Sequence, residues 1–105
     1  MSEPADPKMV NIELECPIER ESGAITSLSV RKPGAGELRG LKIQDIMGAD
    51  VNTMIVLIPR ISSPFLTAPE VESLDPADFA EISGTIVNFF YGRTTRESIA
   101  KITGG

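Results

Sequence analysis

Alternation of apolar and polar residues near the start of the chain constrains the fold more than any other feature of the sequence. Over residues 9–18, Val10, Ile12 and Leu14 alternate with polar side chains, a period of two that is typical of a strand with one buried face. Residues 25–30 resume the alternation after a charged turn, so the two segments predict a β-hairpin. Because an isolated hairpin is only marginally stable in water, this one has to pack on helices or pair with another chain.

Prolines and glycines mark where the strand pattern bends and ends. Pro17 cannot donate a hydrogen bond to a neighbouring strand, which predicts a sheet edge or a bulge. Lys32-Pro-Gly-Ala-Gly36 ends the alternation, and apolar residues at helical spacing follow it. This spacing predicts a short helix over 37–47, weakened by an internal glycine, and a longer one after the N-cap residue Asp50. Pro59 should kink or end that longer helix.

Two capping signals predict the last helices. Thr67-Ala-Pro-Glu70 is a capping box and predicts a short helix over about 68–74. Asp75-Pro-Ala-Asp78 predicts a helix over about 76–91, with Gly92 as a plausible C-cap. The sequence therefore predicts an α+β fold, in which an N-terminal β-hairpin precedes three to four short helices and the C-terminal half is mainly helical.

The length of 105 residues fits one domain. We expect residues 1–8 to be a disordered N-terminal segment, residues 9–92 to form a single α+β domain, and residues 93–105 to be a flexible C-terminal tail. A domain of this size buries only about 60 to 70% of the surface that its unfolded chain exposes, so burial against a partner would add stability.

The scarcity of histidine and cysteine excludes several kinds of chemistry. The chain has no His and one Cys, which excludes a His-based triad, a His general base, a Cys/His zinc site and an internal disulfide. Asp75 and Asp78 could share a divalent cation, but their spacing is that of a helix cap, which is the favoured interpretation. Cys16 has no basic neighbour to activate it and is interpreted as structural. We therefore expect no catalytic, cofactor-binding or metal-binding residue in this chain, and we expect that the protein is not an enzyme.

The charge balance bears on partners and location. Fifteen acidic and ten basic residues give a formal net charge of −5, which predicts that the protein binds neither nucleic acid nor an acidic membrane surface. The sequence contains no apolar run that could span a bilayer, and its first residues lack the features of a signal peptide. A lone cysteine also fits a reducing compartment. These features together predict a cytoplasmic protein.

Charged residues are segregated into a basic patch and an acidic patch. The favoured interpretation is that both are solvated faces, with acidic residues placed near helix N-termini. The alternative is that the basic patch of one copy docks on the acidic patch of the next, which would make the protein a homo-oligomer. The residues of this hypothetical self-association site are Arg31, Lys32, Arg39, Lys42, Glu70, Glu72, Asp75 and Asp78.

The apolar residues of the helices also allow two interpretations. An apolar helix face belongs to the core by default. However, Phe89, Phe90 and Tyr91 are consecutive and cannot all face one core, so at least one should be exposed and available to a partner. The hypothetical partner-binding residues are Ile55, Ile58, Ile86, Phe89, Phe90 and Tyr91.

An ordered series of short motifs resembles a known family. Leu28-Ser-Val-Arg31-Lys-Pro33 is followed by Gly36-Glu-Leu-Arg39-Gly-Leu-Lys42 and, later, by Leu74-Asp-Pro-Ala-Asp78. This order resembles the tail assembly chaperones of Mu-like and related contractile-tailed phages and prophages. The similarity extends over about residues 10–91.

The resemblance implies a function in virion morphogenesis. Members of that family are small, acidic, non-enzymatic proteins that bind the tape measure protein, cooperate with the tail tube protein in the host cytoplasm, and leave before the virion is complete. Some are extended by a programmed frameshift. We therefore expect helices 51–61 and 76–91 to form a groove for apolar segments of the tape measure protein. The alternative is a structural tail or baseplate component that is retained in the virion.

Overall fold

The computed structural model describes residues 9–91, in which the predicted hairpin is present. Its strands are β1 (Met9–Ile18) and β2 (Ile25–Arg31), and they pair antiparallel. A two-residue strand, β3 (Ser62–Ser63), pairs with the other edge of β2, so that the strand order is β1-β2-β3. Sequence analysis does not predict this third strand, because two serines are too short a segment for alternation to indicate a strand.

A bulge interrupts the hairpin at the predicted place. Val10 lies opposite Val30 and Ile12 opposite Leu28, but the register shifts between Glu13 and Ile18. Pro17 lies within this irregular stretch, where it removes no regular hydrogen bond from the ladder. The prediction of a sheet edge or a bulge is thus confirmed, since β1 is an edge strand and its register shifts around Pro17.

Within residues 9–91, four α-helices follow the hairpin. They are α1 (Ile43–Met47), α2 (Val51–Ile61), α3 (Ala68–Glu72) and α4 (Pro76–Phe89), with a single 3-10 turn, Ala35–Leu38, before them. The helix predicted over 37–47 is wrong as one element, because the backbone of Gly40 has φ +82°, in the left-handed region that ends a right-handed helix. The α+β fold class is confirmed.

The predicted helix starts agree better with the structure than the predicted ends. The Asp50 side chain accepts a hydrogen bond from the Thr53 N–H at 3.0 Å, and the capping box of Thr67 and Glu70 is formed. Pro59 lies inside α2, which ends two residues later at Ile61. Helix α3 ends before the predicted 74, and Phe90 is the C-cap of α4, whereas the predicted cap Gly92 lies outside the described residues.

The core lies between the sheet and the longer helices. Helix α4 packs on β1 and α2 packs on β2, so the hairpin is covered by helices, as its marginal stability requires. Each buried Ile or Leu contributes about 1.5 to 3 kcal/mol. The completely or almost completely buried apolar residues include Leu28, Val30, Ile46, Met54, Leu57, Ile58, Ile61, Leu66, Val71, Ile82 and Ile86.

Two predictions from the sequence concern membrane-spanning segments and the ends of the chain. Among residues 9–91 there is no helix with the length and apolar character needed to cross a membrane. The expected disordered segment 1–8 and flexible tail 93–105 lie outside the described residues. The division into one domain and two terminal segments therefore stays a prediction.

Candidate partner-binding surface

An apolar groove lies where α2, α3 and the start of α4 meet. We call it the helix groove; its volume is about 220 Å³. Val51 begins α2 and is 56% exposed, and Ile55 follows it one turn later on the same face. Phe79, in the first turn of α4, is partly buried against the core. The groove is lined by Val51, Ile55, Val71, Glu72, Leu74, Pro76 and Phe79.

A second groove lies at the other end of α4. We call it the terminal groove; its volume is about 380 Å³. The 3-10 turn and α1 form one wall, where Ile43 is 52% exposed, and the last residues of α4 form the other. It is lined by Lys32, Pro33, Ala35, Leu38, Ile43, Phe89, Phe90 and Tyr91.

The structure separates the six residues predicted to bind a partner. Ile58 and Ile86 are completely buried and Phe89 is 5% exposed, because they lie on the inward faces of α2 and α4. Ile58 and Ile86 therefore line neither groove. Ile55 lines the helix groove, whereas Phe89, Phe90 and Tyr91 line the terminal groove. The predicted single groove is thus corrected to two, and partner binding itself stays a prediction.

Several of the predicted self-association residues make contacts within the chain. The Arg31 guanidinium donates two hydrogen bonds to the Glu37 carboxylate. Glu70 accepts from Arg20 Nε at 2.8 Å and from Arg20 Nη2 at 2.7 Å. Asp75 caps α4 by accepting from the Ala77 N–H at 3.0 Å. These contacts stabilise the fold of the single chain, so the charges that make them are less available for contacts with a second copy.

The other predicted self-association residues differ in their exposure. Asp78 is 1% exposed, because its carboxylate points into the fold rather than towards a second copy. Arg39, Lys42 and Glu72 are exposed, as is Lys32 at the mouth of the terminal groove. Self-association through these exposed charges stays a prediction.

Asp78 holds the bulge of β1 in place. Its Oδ1 accepts from the Glu15 N–H at 2.8 Å and its Oδ2 accepts from the Cys16 N–H at 3.0 Å. Both oxygens of this buried carboxylate therefore have a donor, which offsets the cost of burying the charge. The sequence does not indicate that Asp78 supports the bulge, because contacts 62 and 63 residues away leave no local signal.

Cys16, Asp75 and Asp78 have ligand atoms within 4.8 Å of one another. The carboxylates of Asp75 and Asp78 raise the pKa of the Cys16 thiol above its ordinary value, with Asp75 as the largest cause. The thiol is therefore protonated near neutral pH and weakly nucleophilic. Since backbone N–H groups already engage the carboxylates, the cluster is explained by capping and by support of the bulge.

Acidification is expected to destabilise the protein partly through Glu37 and Glu70. Hydrogen bonds from Arg31 and the Gly34 N–H lower the pKa of Glu37 to about 2, and hydrogen bonds from Arg20 and the Thr67 N–H lower the pKa of Glu70 to about 2. Because the folded-state pKa is below the unfolded one, this stabilisation is complete above about pH 5 and is lost as the pH falls towards 2.

The measurement is the thermal unfolding midpoint between pH 7 and pH 3. Glu70→Gln should be less stable than wild type at pH 7 and should lose less stability on acidification. Glu72→Gln, an exposed position on the same helix, should follow the wild-type curve. Parallel curves for wild type and Glu70→Gln would contradict the assignment.

Fold and surface together define a small α+β protein with open, largely apolar grooves on its helical side, a feature that marks sites of contact with other proteins. The chain belongs to the family described as "Phage tail assembly chaperone proteins, E, or 41 or 14", whose model matches residues 11–91. The description of the family assigns its members to phage tail assembly.

Two similar proteins come from Escherichia phage P2. Tail assembly protein E is 33% identical over 78 residues, which are 74% of this chain and 86% of the relative. Tail assembly protein E' is 33% identical over 78 residues, which are 74% of this chain and 55% of the relative. The chain thus matches little more than half of E'. No solved structure matches the chain significantly.

Proposed function

We propose that this protein is a tail assembly chaperone that binds the tape measure protein, keeps its apolar helical segments soluble and helps tail tube assembly in the host cytoplasm. The observation that supports this most is the helix groove, in a chain that belongs to a family of tail assembly chaperones. The groove offers exposed apolar surface at Val51 between three helices.

The shape of the helix groove favours a helical ligand. An amphipathic helix binds by laying apolar residues at i, i+3, i+4 and i+7 into a hydrophobic groove. Ile55, Leu74 and Phe79 supply an apolar floor, and Glu72 supplies a polar rim. The groove is small, which fits a modest affinity that tail tube subunits can overcome during assembly.

Co-expression with the tape measure protein of the same phage or prophage tests the proposal. We expect the two proteins to co-purify and the soluble fraction of the tape measure protein to rise several-fold. Co-expression with the tail tube protein alone is the control for nonspecific association. An unchanged soluble fraction, without co-purification, would contradict chaperone activity.

A protein census of purified virions distinguishes a chaperone from a structural component. We expect mass spectrometry to detect the chain in infected cells and not in finished particles. Its presence in particles at the copy number of a tail or baseplate subunit would overturn the proposal in favour of a retained component.

A further inference from the structure

A third groove lies between the bulge of β1 and helix α3. Its volume is about 380 Å³, and we call it the acidic groove. Pro17 and Ile18 give it apolar surface, while Glu19 and Asp75 contribute carboxylates. A groove with both features fits a long basic side chain, because lysine and arginine lay their apolar stems along apolar surface and carry the charge at the end.

The acidic groove and the helix groove are neighbours. Leu74, in the connection between α3 and α4, lines both of them. Ser73 and Asp75 line the acidic groove. Glu72 and Pro76, which alternate with them along the chain, line the helix groove. The two grooves thus lie on either side of this connection, so a ligand in the helix groove can reach the acidic groove with a side chain.

The charged residues that line the two grooves favour a basic ligand. Glu70 also lines the acidic groove, but the Arg20 guanidinium lies 2.7 Å from its carboxylate and balances its charge. Glu19 and Glu72 have no such ion pair with any of residues 9–91. Of the described residues that line either groove, none is basic. A ligand of complementary charge therefore gains in specificity and in association rate.

The Cys16 thiol, which lines the acidic groove, responds to the charge inside it. Its pKa is raised chiefly by the carboxylate of Asp75, and to a smaller extent by burial and by Asp78 and Glu15. Three carboxylates that all disfavour one thiolate create a negative local potential. A positive side chain placed in the groove is attracted by the same potential.

We propose that the acidic groove and the helix groove form one binding site, and that the segment held there is an amphipathic helix whose apolar residues are flanked by lysine or arginine. The apolar residues lie in the helix groove, and a basic side chain crosses the α3–α4 connection to Glu19 and Asp75. The proposal rests on the proposed function, because it specifies which kind of tape measure segment the helix groove recognises.

The length of the connection determines where the basic residue has to stand in the ligand. Glu72 of the helix groove and Asp75 of the acidic groove are three residues apart in sequence, so their Cα atoms lie at most ~11 Å from each other. Two turns of an α-helix rise by ~11 Å. A basic residue within two turns of the apolar residues can therefore reach the acidic groove.

Two synthetic helical peptides test the proposal on the full-length chain by isothermal titration calorimetry. Both carry leucines at i, i+3, i+4 and i+7, and they differ only in the residues that flank this apolar face, which are lysines in one peptide and glutamines in the other. We expect the lysine peptide to bind about five- to tenfold more tightly at low salt, the factor of two favourable surface ion pairs. The preference should fall as salt is added, because salt screens exposed charges.

Matched variants locate the basic side chain. Glu19→Gln removes one carboxylate of the acidic groove, so it should lower the preference for the lysine peptide to about two- to threefold. It should leave the affinity for the glutamine peptide unchanged. Glu21→Gln makes the same change two residues away, at an exposed position that lines neither groove, and should leave the preference unchanged. Asp75 is kept, because it caps α4.

Equal affinities of the two peptides for wild type, or equal effects of Glu19→Gln and Glu21→Gln, would overturn the proposal. Either result leaves the chaperone function standing, because co-purification with the tape measure protein does not require basic flanking residues. A lysine preference that depends on Glu19, without such co-purification, contradicts the chaperone function and supports the basic specificity of the site. If neither peptide binds and sedimentation velocity shows a dimer, the proposal is overturned in favour of a second copy in the grooves.

Discussion

Replacing Asp78 with alanine is expected to lower the free energy of unfolding by about 3 kcal/mol, which is a large share of the stability of a small domain. The carboxylate is 1% exposed and accepts the N–H groups of Glu15 and Cys16. Alanine removes both acceptors and leaves two N–H groups without their partner, at a cost of ~1 to 3 kcal/mol for each group.

Urea-induced unfolding measures this loss, and Asp75→Ala is the matched control. Asp75 lies three residues earlier and caps α4 through the Ala77 N–H, so its replacement should cost about 1 kcal/mol. Asp78→Asn should fall between the two, because the amide keeps one acceptor oxygen but loses the charge. If Asp78→Ala costs no more than Asp75→Ala, the carboxylate does not support the bulge.

The importance of Asp78 shows what the sequence could predict in this fold. The predicted starts of α2, α3 and α4 rest on contacts between residues two or three positions apart, such as Asp50 with Thr53. These signals are local, and the structure contains them. The residues that join distant elements carry no such signal, so Asp78 looks like an ordinary residue of the first helical turn.

The ion pair between Arg20 and Glu70 illustrates the same limit. The sequence identifies Glu70 as part of a capping box, which is correct, and also as a self-association residue. It cannot show that Arg20, fifty residues away in sequence, binds the same carboxylate and also donates to the Phe65 carbonyl. Such a pairing depends on how the hairpin lies on α3, which the local sequence does not determine.

The sequence predicts an exposed apolar surface on the helices, but it identifies only some of the residues of that surface correctly. The periodicity of α2 and α4 identifies their apolar residues correctly, but it does not distinguish Ile58 in the core from Ile55 at the surface. That distinction depends on which neighbour covers each residue. Val51 lines the helix groove and is 56% exposed. The sequence places it in the apolar stripe of α2 but not among the partner-binding residues, because periodicity does not show which residues of a stripe stay uncovered.

Val51→Asp is expected to weaken binding of the tape measure protein at least ~10-fold, the effect of losing a contact at the centre of an interface. The side chain is 56% exposed and lines the helix groove. An aspartate at the first position of α2 interacts favourably with the helix N-terminus, so the variant should fold. The measurement is the affinity for the tape measure protein, together with the circular dichroism of the free variant.

Two further variants make the result specific to the helix groove. Val56→Asp introduces the same charge on the same helix at a side chain that is 43% exposed and lies outside the groove, so binding should be unchanged. Phe90→Ser alters the terminal groove and should also leave it unchanged. If Phe90→Ser weakens binding and Val51→Asp does not, the tape measure protein occupies the terminal groove. If neither variant weakens binding, the apolar grooves do not hold it, and the proposed mode of binding is wrong even where the two proteins co-purify.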